Sequence, residues 1–156
     1  MKRFHVNVAV SDLQRSVNFY TTLFGTAPTV QKADYAKWML DDPRINFSLS
    51  ESKRNGGVNH VGVQMDSMDD LAKIQERLQT AGQNTVEQAN AECCYAQSSK
   101  TWVRDPDDVA WEAFVTHGEI THYGADLEPE ESSQQTAEIV DPAGCCKRDA
   151  DARCCI

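Results

Sequence analysis

The chain has 156 residues, 40% of them hydrophobic, a size that predicts one domain with a real core and an additional segment. Its net charge of −9 and pI of about 4.8 exclude nucleic acid as a main partner. No run approaches the roughly 18 apolar residues of a membrane span. The start enters a strand-like pattern at once, without a signal-peptide stretch, so we expect a cytoplasmic protein.

The first predicted element is a strand, Phe4–Val10, in which apolar and polar residues alternate. The valines share one face of this strand, so His5 and Asn7 lie on the other face. A Ser-Asp pair then offers a helix N-cap, and the apolar residues that follow recur at helical spacing up to Gly25. The N-terminal quarter therefore predicts a strand followed by an amphipathic helix.

The same order recurs later in the chain. The stretch His60–Met65 alternates in the same phase and leaves His60 opposite its valines, and a second helical pattern ends at Gly82. Short β-like segments follow each helix, at Tyr35–Leu40, Ile45–Ser50, Glu92–Gln97, Thr101–Arg104 and Trp111–Thr116. The repeat predicts an α+β domain over residues 1–117, built from two βαβββ modules at 1–54 and 58–117. Neither module alone would bury much surface, so the two should pack together.

Residues 118–156 read as a flexible, acidic C-terminal tail. They hold nine acidic and three basic residues and almost no apolar periodicity. Four of the six cysteines lie here as two adjacent pairs, Cys145-Cys146 and Cys154-Cys155, and the third pair, Cys93-Cys94, lies in the second module. Adjacent cysteines seldom pair with each other, and in a cytosolic protein they indicate binding of a soft metal or metalloid.

The two strand histidines suggest a metal site. A lone strand histidine is more often a packing residue, but His5 and His60 stand in register across the duplication and so face the same side. Glu112 lies among bulky apolar residues of the last strand, where a carboxylate is costly unless it is paired or coordinating. Its counterpart in the first module is Asn46. We therefore predict a mononuclear metal site formed by His5, His60 and Glu112.

This arrangement resembles the vicinal oxygen chelate superfamily over residues 4–117. The superfamily includes glyoxalase I, extradiol dioxygenases and bleomycin-binding proteins, and the resemblance implies paired modules that curl into a cupped mixed sheet around a metal. The segment Asn90–Ala96, followed by Lys-Thr-Trp-Val and Trp-Glu, is similar to a narrower branch. That branch contains the organoarsenical carbon–arsenic lyases and the related cadmium-induced proteins.

The resemblance implies a reaction as well as a fold. Cys93 and Cys94 would hold trivalent arsenic beside Fe(II), with His60, Glu112 and His5 as the metal ligands. Arsenic is soft and exchanges hydroxyl for thiolate, while two histidines and one carboxylate form the triad of non-haem Fe(II) oxygenases. The expected enzyme is an oxygen-dependent lyase that cleaves the carbon–arsenic bond of trivalent organoarsenicals to give arsenite.

Other residues near this site carry weaker expectations. Glu112 and Tyr95 are the candidate catalytic residues, the tyrosine as a hydrogen-bond donor to substrate or oxygen. Lys100 and Arg104 are expected at solvated strand edges, with charge balance at the site as the alternative. The two remaining histidines, His117 and His122, are expected past the last strand and away from the metal.

Several alternatives stay open at this point. A cadmium- or arsenic-sequestering protein without turnover would account for all three cysteine pairs, although not for the histidines and Glu112. A glyoxalase-type isomerase generally needs a second carboxylate, for which Asn46 is a poor substitute. A thiol transferase acting on a phosphonate needs a cationic pocket that the weakly acidic core does not indicate. The modules could pair within a monomer or between the chains of a homodimer, and the choice between methyl and aryl arsenicals is open.

Overall fold

The computed structural model describes residues 2–53 and 56–124, and in them the predicted α+β duplication is confirmed. Two helices and eight strands follow one another in the order of two βαβββ modules. The first module contains β1 (Arg3–Val10), α1 (Leu13–Phe24), β2 (Val30–Gln31), β3 (Tyr35–Asp41) and β4 (Arg44–Glu51). The second contains β5 (Gly57–Met65), α2 (Met68–Thr80), β6 (Thr85–Cys93), β7 (Ala96–Arg104) and β8 (Ala110–Glu119).

All eight strands belong to one mixed sheet, in the order β2-β3-β4-β1-β5-β8-β7-β6. The antiparallel pair β1–β5 lies at its centre and joins the two modules within a single chain. Each central strand runs parallel to the last strand of its own module, β1 to β4 and β5 to β8. The curled sheet therefore has a pseudo-two-fold centre that brings the first strands of both modules side by side.

Both helices pack on one face of the sheet, as the apolar phase of the strands requires. The larger core cluster joins α1 to the first module and contains Val10, Leu13, Val17, Ala36, Trp38, Phe47 and Leu49. A smaller cluster beside α2 contains Met65, Leu71, Ala113 and Val115. The opposite, concave face carries the polar residues of the alternation, among them His5, Asn7, Ser48 and Glu112, all of them buried.

The helix boundaries agree with the sequence signals. Asp12 caps α1 by accepting a hydrogen bond from the Arg15 backbone N–H at 2.9 Å, and Ser67 caps α2 in the same way. Gly25 follows α1 with φ of 68°, the left-handed conformation that glycine adopts at low cost. These caps fix where each helix begins, and hence how each packs behind the sheet.

The predicted strand at Glu92–Gln97 is wrong, because these residues form the tip of a hairpin. The strand before it, β6, runs from Thr85 to Cys93, and β7 begins at Ala96. β6 is an edge strand with mostly exposed or half-buried residues, so its sequence lacks the apolar alternation that marks a half-buried strand. The last strand is also longer than expected: β8 continues through His117 to Glu119.

The residues just after β8 lie against the domain. Gly124 pairs with Cys93 in an isolated bridge, and the Ile120 N–H donates to the Tyr95 carbonyl at 3.0 Å. The rest of the predicted tail, residues 125–156 with its four cysteines, lies outside the described residues. Within the described parts of the chain, no helix is long and apolar enough to cross a membrane.

The packing behind the sheet gives a first prediction. Leu49 is fully buried against α1, so Leu49→Ala should lower the free energy of unfolding by about 2–5 kcal/mol. Leu23→Ala makes the same change at a side chain that is 61% exposed, and should alter it by less than about 0.5 kcal/mol. Urea unfolding measures both. Equal losses in the two variants would contradict the packing described here.

Candidate metal centre and adjacent thiol pair

His5 of β1, His60 of β5 and Glu112 of β8 meet on the concave face of one chain. The two imidazole Nε2 atoms are 3.1 Å apart, and each lies 3.6 Å from Oε2 of Glu112. All three side chains are about 5% exposed. Three potential metal ligands, taken from strands far apart in sequence, therefore surround one point.

Both rings are oriented through their other nitrogen. Nδ1 of His5 lies 3.0 Å from the Asn46 backbone carbonyl, and Nδ1 of His60 lies 3.3 Å from Oδ1 of Asn59. Because both partners are acceptors, each neutral ring carries its proton on Nδ1 and turns the Nε2 lone pair inward. Burial lowers the pKa of His5 and outweighs the opposing effect of the nearby Glu112 carboxylate, which favours the neutral form.

The residues fit a bound cation. With the protons on Nδ1, two lone pairs and a carboxylate oxygen face one another, which is unfavourable unless a positive charge lies between them. Metal–ligand bonds of about 2.0–2.2 Å place neighbouring ligand atoms roughly 2.8–3.6 Å apart in octahedral or tetrahedral sites. The observed spacings of 3.1 and 3.6 Å fall in that range. Two imidazoles and one carboxylate suit a borderline divalent metal such as Fe(II).

Lys100 is part of this centre, and its expected place at a solvated strand edge is wrong. Its side chain is 4% exposed, and Nζ lies 2.7 Å from Oε1 of Glu112. The carboxylate thus has one oxygen held by the ammonium and the other turned to the imidazoles. Lys100 lies two residues before Trp102, so the alternation of a strand puts both side chains on one face. That spacing was a signal in the sequence that the lysine shares the face of a large apolar residue. Arg104, in contrast, pairs with Asp108 near the surface.

Aromatic rings and a glycine define the walls of the metal centre. The Phe114 ring lies edge-on to His5 and the Trp102 ring edge-on to His60, with centroids 5.2 and 5.0 Å apart. Gly62 pairs with Glu112 across β5 and β8, and a Cβ at this position would lie 2.1 Å from the Glu112 carbonyl oxygen. The metal centre therefore has aromatic rings beside both imidazoles and is closely packed at the Glu112 backbone.

Cys93 and Cys94 lie at the tip of the β6–β7 hairpin, with their sulfur atoms 2.9 Å apart. Cys93 is buried and Cys94 is half-buried. The turn residues Cys94 and Tyr95 both have positive φ, 55° and 62°, as a two-residue hairpin of the primed type requires. Asparagine and glycine normally occupy such turns, and other residues carry backbone strain there. That strain is a common mark of functional positions.

One narrow cavity of about 50 Å³ connects the thiols to the metal centre. Its lining includes His5, Asn7, Tyr35, Lys37, Asn46, Ser48, His60, Cys93, Cys94, Ala96, Ser98, Lys100, Glu112, Phe114 and Thr116. Glu112 is the one carboxylate among these residues. Asn46, the first-module counterpart of Glu112, also lines the cavity, and its side-chain NH₂ donates to Oε1 of Gln64 at 3.0 Å.

Two tyrosines beside the thiols were missed by sequence reasoning. Tyr35, buried on β3, has a pKa raised well above its ordinary value by burial and by the neighbouring Cys94. Tyr123 follows β8, where the sequence pattern indicated only tail; its pKa is also raised by burial and then by Cys94, and its hydroxyl donates to Ser50 at 3.1 Å. Both phenols therefore stay protonated near neutral pH and can act as hydrogen-bond donors.

Tyr95, His117 and His122 do not line the cavity between the thiols and the metal centre. The Tyr95 hydroxyl donates to Asp34 at 2.7 Å. His117 lies on β8, where Nε2 is 2.8 Å from the Ser99 hydroxyl, and His122 pairs with Glu92 at 3.1 Å. The two histidines are thus away from the metal centre, as expected, although His117 belongs to the last strand.

The comparisons agree with the resemblance inferred from the sequence. Residues 2–113 match the family model described as the Glyoxalase/Bleomycin resistance protein/Dioxygenase superfamily. The trivalent organoarsenical cleaving enzyme of Bacillus sp. (strain MD1) is 40% identical over 119 residues, 74% of each chain. The cadmium-induced protein CadI of Mycobacterium bovis is 29% identical over 140 residues, 89% of this chain and 92% of that protein.

Among solved structures, an extradiol ring-cleaving dioxygenase from B. fuscum is similar in fold. The two superpose with a TM-score of 0.58 at 17% identity, over 75% of this chain and 33% of the dioxygenase. At that identity the likeness concerns the fold, and it confirms the predicted cupped arrangement of paired modules.

The close contact at Gly62 gives a second prediction. Gly62→Ala would push the added methyl group into the Glu112 backbone, so we expect at least a tenfold loss in affinity for Co²⁺, measured by titration of the metal-free protein. Gly118→Ala lies on the same strand as Glu112 and meets nothing within 4 Å, so it should bind Co²⁺ like the wild type. Unchanged affinity in Gly62→Ala would argue against Glu112 as a ligand.

The buried ion pair gives a third prediction. In metal-free protein, Lys100→Met leaves the Glu112 carboxylate without its ammonium and should cost about 3–5 kcal/mol of unfolding free energy. Lys73→Met removes an exposed lysine paired with Asp70 and should cost less than about 1 kcal/mol. Chemical denaturation of both variants is the measurement. A Lys100→Met variant as stable as Lys73→Met would mean that the buried pair does not stabilise the cup.

Proposed function

This chain belongs to the Glyoxalase/Bleomycin resistance protein/Dioxygenase superfamily, and we propose that it is an Fe(II)- and O₂-dependent lyase that cleaves the carbon–arsenic bond of trivalent organoarsenicals. The observation that carries the proposal is the shared cavity. A vicinal thiol pair and a His-His-Glu centre line the same narrow space. The identity with relatives named for organoarsenical cleavage supports the same substrate class.

The thiol pair supplies the substrate site in this proposal. A trivalent organoarsenical carries two exchangeable hydroxyls and one carbon substituent. Cys93 and Cys94 replace both hydroxyls as thiolates, since arsenic and sulfur are both soft. The carbon substituent is then the one group left free to enter the cavity, and holding it there makes the reaction effectively intramolecular. A reducing cytoplasmic location would keep both cysteines as thiols.

His5, His60 and Glu112 are the proposed metal ligands. Fe(II) bound there would supply the ability to activate O₂ for attack on the carbon bonded to arsenic. Lys100 holds one oxygen of Glu112 so that the other stays directed at the imidazoles. The aromatic edges of Phe114 and Trp102 limit water on either side. Arsenite and an oxidised organic fragment are the expected products.

Tyr95 has a more limited role in this proposal. A direct hydrogen bond to substrate would require its hydroxyl to leave Asp34. Tyr95 instead occupies the second residue of the thiol turn, with its ring near Tyr35 and Tyr123. We propose that it positions Cys94. The buried phenol of Tyr35, which does line the cavity, is the better candidate for a donor to the bound arsenical.

The rival functions fit the cavity less well. A glyoxalase-type isomerase needs a second carboxylate, and among the described residues that line the cavity Glu112 is the one carboxylate. Sequestration without turnover would need the thiols alone. It gives no reason for two oriented imidazoles and a carboxylate held by a buried lysine next to them.

The proposal predicts oxygen-dependent release of arsenite. Iron-reconstituted protein incubated with trivalent methylarsenical should release inorganic arsenite in air and none under argon, measured by arsenic speciation. Cys93→Ser should lower the release at least a hundredfold, because a single thiolate cannot hold the substrate in place. The matched control, Cys154→Ser, makes the same substitution in the sequence that follows the two modules and should retain the wild-type rate.

Three outcomes would count against the proposal. Release under argon would remove the role of O₂, and undiminished release by Cys93→Ser would remove the thiol site. Tight Cd²⁺ binding at cysteine, with no arsenite formed after iron loading, would favour the sequestration alternative.

A further inference from the structure

Cys94 borders two separate spaces. The first is the narrow cavity that leads to the metal centre (the inner cavity), and the second is an outer recess of about 310 Å³. Cys93 is buried, and of these two spaces it borders only the inner cavity. A molecule in the outer recess therefore reaches the thiol pair from the Cys94 side.

The lining of the outer recess is cationic, although the protein as a whole is acidic. Among the described lining residues, Lys32 and Lys37 contribute two ammonium groups against one carboxylate, that of Glu119. The whole chain, in contrast, has a net charge of −9. The recess thus attracts an anion that the net charge of the chain repels.

Two nearby carboxylates do not border the outer recess. Asp34 accepts a hydrogen bond from the Tyr95 hydroxyl at 2.7 Å, and Oε2 of Glu92 lies 3.1 Å from Nε2 of His122. Each of these carboxylates thus has a partner of its own. Of the charged groups in the described ranges, the two lysines and Glu119 are those that a molecule in the recess would meet.

Both lysines lie close to the turn that carries the thiols. The Lys32 ammonium lies over the Tyr95 ring, 5.3 Å from its centroid. Lys37 is half-buried on β3; burial lowers its pKa, and the charges of Glu119 and Cys94 oppose that effect. A carboxylate bound beside Lys37 would favour the charged form of the lysine. The recess therefore suits a ligand whose carboxylate binds near Cys94.

The size and position of the recess indicate the rest of this ligand. A volume of about 310 Å³ lies at the small end of the range of roughly 300–1,000 Å³ found for small-molecule sites. Sulfur exchanges readily at trivalent arsenic because both elements are soft. A small molecule with a carboxylate and a thiol would bind the lysines and bring its sulfur to Cys94. Cysteine and its short peptides belong to this class.

We propose that the outer recess binds an acidic low-molecular-mass thiol, which removes arsenic from Cys93 and Cys94. The proposal rests on the function proposed above, because it concerns the arsenic that the thiol pair still holds after the carbon–arsenic bond is cleaved. The thiol pair needs an exchange partner before it can accept another substrate. Binding in the recess brings that partner to the first sulfur to be displaced.

The transfer is a thiol exchange at arsenic and needs no oxidant or reductant. An As–S bond to the incoming thiol forms while the As–S bond to Cys94 breaks, and the proton of the incoming thiol passes to the Cys94 sulfur. A second molecule of the thiol displaces Cys93 in the same way. Arsenic stays trivalent, and both cysteines end as thiols. Cys94 is displaced first because it borders the recess and Cys93 does not.

Two thiols that differ in charge test the recess without iron and without turnover. N-acetylcysteine carries a carboxylate, and N-acetylcysteine amide carries none. Full-length, metal-free protein, with its other four cysteines replaced by serine, is loaded with one equivalent of arsenite under argon, so that Cys93 and Cys94 are the only thiols that can hold arsenic. Release of arsenite is followed by rapid gel filtration and arsenic analysis.

At equal thiolate concentration, the anionic thiol should release arsenite at least fivefold faster than the amide. The net charge of −9 predicts the opposite order for exchange without a binding site. Equal rates for the two thiols, or a faster rate for the amide, would overturn the proposal. If Cys93 and Cys94 retain no arsenite at all, the proposal fails together with the thiol site of the proposed function.

Opposite changes of charge distinguish binding in the recess from a structural effect. Lys32→Ala and Lys37→Met each remove a positive charge and should lower the ratio of the two release rates severalfold. Glu119→Gln removes the negative charge and should raise that ratio. Because Lys32 is exposed, its variant keeps the test decisive even where Lys37→Met does not fold.

An exposed lysine elsewhere provides the matched control. Lys73→Ala removes a lysine of α2 that pairs with Asp70, and it should leave the ratio of release rates unchanged. A ratio that Lys32→Ala leaves at the wild-type value, or that Lys73→Ala lowers equally, would overturn the outer recess as the binding site.

Iron-loaded protein separates this inference from the proposed function. If it cleaves methylarsenical but releases arsenite equally fast with the two thiols, the recess proposal fails and the lyase proposal stands. If it forms no arsenite with either thiol, the lyase proposal fails, while the charge-dependent release from arsenite-loaded protein still supports the recess.

Discussion

The convergence of three acceptor atoms in a buried cup is the constraint on which this structure depends. Two Nε2 lone pairs and a carboxylate oxygen face one another within 3.6 Å. Exposed side chains would move apart because these electron-rich atoms repel one another. The central β1–β5 pair brings the histidines of both modules together. The parallel β5–β8 pair brings Glu112 to the same point, and Lys100 holds its outer oxygen. The electrostatic repulsion between these buried atoms is best explained by a cation that binds between them and offsets it.

The duplication is symmetric in fold and asymmetric in chemistry. Each module contributes one histidine from its first strand, and each packs one helix behind the sheet. The second module adds the carboxylate, the buried lysine and the thiol pair, whereas the first contributes Lys37 and neutral polar groups such as Asn46 and Ser48. One cup therefore combines a hydrogen-bonded nitrogen and oxygen centre with a pair of soft sulfur ligands. Those two ligand types prefer different elements: imidazole and carboxylate suit a borderline divalent metal, and paired sulfurs suit a softer metal or metalloid.

The hairpin that carries the thiols shows how strain and packing place reactive groups. Cys94 and Tyr95 adopt positive φ values that their side chains do not favour. Surrounding contacts hold the turn in place, including the bond from Ile120 to the Tyr95 carbonyl and the bridge from Gly124 to Cys93. The stretch after β8 thus supports the turn that carries the thiol pair. Its position also sets where the acidic continuation of the chain begins.

Much of this protein was readable in the sequence because the signals are local. Period-two alternation showed which face of each strand carries His5 and His60, and the caps and glycines marked both helices correctly. The family motif pointed to the vicinal thiols and to Glu112. These features can be recognised without the tertiary fold, because each depends on residues only a few positions apart in the chain.

The tertiary structure decided what depends on pairing between distant strands. The burial of Lys100 and its contact with Glu112 follow from the β7–β8 register, and a slip of one residue would turn that lysine to the other face. The approach of Tyr35 and Tyr123 to Cys94 requires two modules and the stretch after β8 to meet. Local sequence preference also gave a wrong prediction at the hairpin, where a strand was expected and a turn is found. Cysteine and tyrosine are not typical turn residues, and the edge strand β6 has little apolar alternation. Pairing between strands that are distant in sequence stabilises the hairpin against those local preferences. That pairing is visible only in the tertiary structure.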